Sequence, residues 1–103
     1  MKRYTIPLIC KTFTVYSGDE EWQKFRAITI KEGADEPEKE KCPPKGSGRC
    51  FAGYVWVHDL KDKKILIHEL SHLIDDVMLT IGSHDTEFRA YITEWIFYTC
   101  LKE

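Results

Sequence analysis

His68, Glu69 and His72 are the residues most able to do chemistry, two histidines four apart with a glutamate directly after the first. On a helix, positions four apart stand about one turn apart on the same side. Both imidazoles can then turn a nitrogen toward one zinc ion, at roughly 2.0–2.1 Å each. Glu69 is rotated about 100° from His68, so it does not easily share that coordination point, yet it can reach a water bound there. Zinc lowers the pKa of such a water toward neutrality, and a carboxylate can take its proton. The H-E-x-x-H spacing thus points to metal-assisted hydrolysis with glutamate as general base. Five letters alone are moderately specific, so the surrounding elements must supply the geometry.

They do so most clearly between 62 and 101. Leu66, Leu70, Leu73, Val77 and Ile81 recur every three or four residues, which predicts a helix from about 62 to 81, capped by Asp59 or Asp62 and stopped at Gly82. A second helix is expected from about 86 to 101, with Asp85 as cap, Glu87 at the positive end of its dipole, and Phe88, Ile92, Trp95, Ile96 and Leu101 as its apolar surface. Upstream, residues 4–16 read as one or two strands with Pro7 marking an edge or bulge. Residues 24–31, KFRAITIK, alternate like a further strand, and 51–59 place Tyr54, Trp56 and His58 on one face with Val55 and Val57 on the other. GYVWV is expected to form the edge strand against which a peptide would lie. Residues 32–50 carry three of the four prolines and almost no apolar side chains, which predicts a long polar surface loop. Strands first and helices last make one α+β domain over 1–103.

A catalytic zinc takes three protein ligands and one open position. Candidates for the third lie in SHDTEFRAY: His84, Asp85 and Glu87. The metzincin spacing is excluded, because Asp75 and Met78 stand where it needs a glycine and a histidine. HELSHLIDD followed by DTEFRAYITEWIFY resembles the gluzincins, in particular small zincin-like metallopeptidase-type proteins encoded by bacteriophages and prophages. The resemblance covers residues 65–98. It implies a small zincin-like fold, with an antiparallel or mixed N-terminal sheet, the H-E-x-x-H helix and a C-terminal helix. It also implies Zn2+ held by His68, His72 and the Glu87 of E-x-x-A-Y, with Glu69 as base. HDTEF is also similar to the H-G-x-E-F pattern of SprT-type proteins, with Asp85 in place of the glycine, so His84 stays the alternative third ligand. Glu94 ranks below both and comes level with the histidines only if the two helices pack antiparallel. Asp75 or Asp76 is a candidate to accept the second N–H of a metal-bound histidine. Tyr91, Tyr98, His58 and His84 are each weak candidates for an oxyanion donor.

Composition limits the alternatives. The 103 residues have room for one modest core, and a net charge of −2 with 31% charged residues favours neither nucleic acid nor an anionic membrane as partner. No apolar run is long enough to span a bilayer, and the N-terminal stretch is too broken by Pro7 and Lys11 for a signal peptide, so a cytoplasmic protein is expected, in a bacterial host if phage-encoded. The four cysteines are then expected as thiols. Cys42 and Cys50 could pair or grip a metal, though their spacing is not C-x-x-C, and Cys10 and Cys100 read as small core residues. Two functional classes remain: a zinc peptidase acting on a peptide or protein, and a non-catalytic zincin-fold structural or interaction protein of a phage or prophage.

Overall fold

The computed structural model describes residues 1–34 and 41–102. Its elements run β1 (Lys2–Ile6), β2 (Lys11–Ser17), α1 (Gly18–Lys31), β3 (Gly48–Phe51), β4 (Tyr54–Val57), α2 (Lys63–Ile81) and α3 (Thr86–Leu101). The α+β class holds, as a four-stranded mixed sheet with three helices. The strand order is β1-β2-β4-β3. β1 and β2 form an antiparallel hairpin, β2 and β4 pair in parallel from Thr14↔Tyr54 to Ser17↔Val57, and β3 returns antiparallel on the far side of β4.

Alternation along the strands divides the core between the two faces of the sheet. Phe13, Val15, Val55 and Val57 join Leu66, Leu70, Leu73, Ile92 and Ile96 under α2 and α3. Tyr16 and Trp56 face the other way and pack with Trp22 and Phe25 of α1. The split expected for Tyr54, Trp56, Val55 and Val57 is therefore observed.

Residues 24–31 are not a strand but the second half of α1. Trp22, Phe25 and Thr29 make a buried stripe at helical spacing, and Asp19, Glu20 and Glu21 sit in the first turn, where the helix dipole favours negative charge. Thr29 returns its hydroxyl to the Phe25 carbonyl at 2.9 Å, so a β-branched polar residue is accommodated inside the helix. Pro7 lies in the β1–β2 connection rather than in a strand, and Cys10 beside it is exposed, not core; Cys100 is buried as expected. The polar segment from 32 ends sooner than expected, since β3 begins at Gly48; residues 35–40 of that segment lie outside the described residues.

α2 and α3 fall where the periodicity puts them. Asp62 accepts the Ile65 N–H, Gly82 closes α2 at φ +68, and one carboxylate oxygen of Asp85 accepts the N–H groups of Glu87 and Phe88 at 2.9 and 3.0 Å. The hairpin is antiparallel: Asp75 pairs with Arg89 near its closed end, and Leu66 and Cys100 line one cavity near its open end. α2 lies over β3 and β4, while α3 lies toward β1. Among the described residues, no helix is long and apolar enough to cross a membrane.

Candidate active site

His68, Glu69 and His72 lie on the flank of α2 that faces β3. The imidazoles are exposed and adjacent, with ring centroids 4.9 Å apart and planes at 81°. Glu69 is turned inward and only 7% exposed. Two adjoining depressions of about 550 and 610 Å³ share His68, Glu69 and Gly48, a size suited to a small ligand or a short stretch of chain. Ile65, Ile67 and Ser71 border one; Arg49, Cys50, His72 and Asp76 border the other.

Gly48 makes this close approach possible. A Cβ there would meet Glu69 Cγ at 2.7 Å and Oε2 at 2.8 Å, so the glutamate lies against bare strand backbone. Burial pushes the Glu69 carboxyl above its usual range, and the charges of His68, His72 and Arg49 pull it only partly back. A carboxyl moved toward neutrality is better matched to exchanging a proton with water near pH 7. Beside it, burial pushes the Cys50 thiol up to about 12, with the charges of Glu69 and Asp76 adding to the effect. Burial thus favours the protonated thiol at Cys50. Changing Gly48→Ala should destabilise the protein by about 1–3 kcal/mol through overpacking. Chemical denaturation measures the loss, and the further change Glu69→Ala should recover part of it, because the added Cβ meets that side chain and also Ile65 Cγ2 at 2.9 Å.

The third ligand expected from the sequence is not brought to this pair. Among the described residues, one group of three or more potential ligands has its donor atoms gathered, and that group is Asp19, Cys42 and His58. The antiparallel register explains the separation. Asp75 pairs with Arg89 across the hairpin, and Glu87 lies two residues nearer its closed end than Arg89, on the side away from His72 along the axis. His84 lies farther still toward the closed end, in a depression with Asp75, Met78 and Asp85. Glu94 does come level with the histidines along the axis, but it is exposed on α3, whereas the histidines face β3 on the other side of α2. Asp75 is engaged by Arg89, while Asp76 borders the same depression as His72. Tyr91 packs on Phe88, and Tyr98 lies under the Lys102 ammonium.

Two features of the site escape a reading of the sequence. The strand beside the histidines is β3, which has no partner on its outer edge among the described residues, while YVWV of GYVWV forms β4 inside the sheet. Arg49, which sets a positive charge near Glu69, arrives with that strand. GRCF carries no strand signal of its own, since it is short and holds a glycine and an arginine. His68 and His72 suit zinc in kind, as two imidazoles with ring centroids 4.9 Å apart on successive turns of a regular helix. Compared with protein-family models, curated protein sequences and solved structures, the chain matches none, and its functional reading stands on these residues and their geometry.

Proposed function

We propose that the chain is a zincin-like, zinc-dependent metallopeptidase, with His68 and His72 holding the metal and Glu69 moving the proton. The observation that carries this reading is the inward-turned Glu69, held between the histidine pair and the glycine of an open-edged strand. Neither zinc binding nor helix packing requires a carboxylate to be buried there, and burying one is costly. A zinc ion at the site would supply Lewis acidity toward a peptide carbonyl. Glu69 would take a proton from the attacking water and return it to the leaving amine. The outer edge of β3, unpaired among the described residues, offers backbone groups that can hold an extended peptide or protein segment in place.

A second reading has its own observation: no third protein ligand is gathered at the histidine pair among the described residues. That arrangement favours a zincin-fold protein that interacts without hydrolysing. Zinc content after loading and desalting tests the metal claim. The double variant His68→Ala, His72→Ala should carry one equivalent fewer than the native chain, and equal content in the two would overturn the proposal. Glu87→Ala measured alongside assigns the third ligand: loss of that equivalent brings Glu87 into the set, and retention removes it.

A further inference from the structure

We infer that Asp19, Cys42 and His58 form a second transition-metal site, selective for zinc-like ions, on the side of the sheet opposite the histidine pair. The three donors come from separate parts of the chain: the first turn of α1, the segment before β3, and the residue after β4. Their ligand atoms all lie within 4.8 Å of one another. Cys42 Sγ is 2.8 Å and His58 Nε2 3.3 Å from the same Asp19 oxygen.

Two hydrogen bonds draw these segments together without an ion. Trp56 Nε1–H donates to the Gly18 carbonyl at 2.9 Å, which ties the start of α1 to β4 one residue before Asp19 and two before His58. The His58 N–H donates to Ser47 O at 3.0 Å, which binds the Cys42-bearing segment to the same strand end. His58 is largely enclosed, its side chain edge-on to Trp56, whereas Asp19 is 73% exposed and leaves a path from solvent.

The donor set selects the ion. A thiolate, an imidazole and a carboxylate together suit zinc and disfavour magnesium or calcium, which take oxygen ligands. Tetrahedral zinc with ordinary bond lengths places sulfur and oxygen about 3.6 Å apart and nitrogen and oxygen about 3.4 Å apart. The imidazole already stands near that separation, and the thiol must withdraw from the carboxylate by roughly 0.8 Å. Three protein ligands leave a fourth position for water. An ion here would clip the segment carrying Cys42 to the helix and the sheet end.

The test uses the full chain with His68→Ala and His72→Ala already in place, so that a failure of this site and a failure of the peptidase reading are told apart. Cobalt(II) titration of that variant should give one equivalent and a thiolate-to-cobalt charge-transfer absorption. Zinc at a hundredfold excess over Kd should raise its Tm by roughly 10–20 °C. Cys42→Ser in the same background should abolish the absorption, Asp19→Asn should weaken binding at least tenfold, and His58→Gln should repeat the loss if Cys42→Ser impairs folding. No thiolate band in the double variant, or a band that survives both Cys42→Ser and His58→Gln, overturns the assignment.

Discussion

Hydrolysis of a quenched-fluorescence peptide library by the zinc-loaded protein should fall by about 10²–10⁴-fold when Glu69 is replaced by glutamine, the range expected for removing a general base. Zinc content should not change, because the amide keeps the shape of the side chain and neither histidine is touched. Stability supplies an internal control. Burial holds the folded-state pKa of Glu69 above its unfolded value, so the metal-free native chain is favoured at low pH and loses that advantage as pH rises through the folded pKa. Glutamine has no such dependence, so above that pH the variant should be at least as stable as the native chain. Lost hydrolysis with zinc and stability retained would assign the proton transfer to Glu69. Hydrolysis that survives the substitution would remove Glu69 as the base, and no hydrolysis by the zinc-loaded native chain would leave the non-catalytic reading.

The largest loss of stability is expected on the other face of the sheet. Trp56 is fully buried, lies 4.7 Å from Trp22 between ring centroids, and donates its indole N–H to Gly18. Trp56→Ala should cost about 3–5 kcal/mol, against a total stability of about 5–15 kcal/mol for a domain of ordinary stability. Melting should shift down by roughly 4–8 °C for each kcal/mol, enough to leave part of the population unfolded at 37 °C. Trp56→Phe keeps most of the apolar contact but strands the Gly18 carbonyl, and should cost about 1–3 kcal/mol. A loss below 1 kcal/mol for the alanine variant, measured by urea unfolding, would mean that the aromatic cluster under α1 is not a principal support of the fold.

The helices that carry the candidate chemistry were legible because each has a local signature at both ends. Asp62 and Gly82 bound one and Asp85 starts the other, with apolar residues at the right period between them. The second half of α1 has the local character of a strand, because Ile28, Thr29 and Ile30 have strand preferences, while the deciding contacts of Trp22 and Phe25 with Tyr16 and Trp56 are tertiary. β3 was missed for a related reason: Gly48–Phe51 becomes a strand only by pairing with β4. The grouping of His68, Glu69 and His72 on neighbouring faces of α2 could be read from five letters. Whether Glu87 reaches it depends on how two helices slide past each other, and nothing local encodes that. Asp19, Cys42 and His58 are invisible as a group for the same reason, since no spacing rule links residues that far apart.

The parallel pairing of β2 with β4 bears on how the chain reaches its native state. The β1–β2 and α2–α3 hairpins join near neighbours and can form in microseconds. β2 and β4 join residues forty positions apart, Thr14 with Tyr54, so α1 and the segment after it must be closed into a loop before that ladder rewards the closure. The rate of folding is then governed by the middle of the sheet and not by the helix that bears the histidines. Substitutions of the exposed His68 and His72 would change the candidate site with little effect on how fast the chain folds, whereas the buried Glu69 between them is tied to the assembly of the domain beneath it.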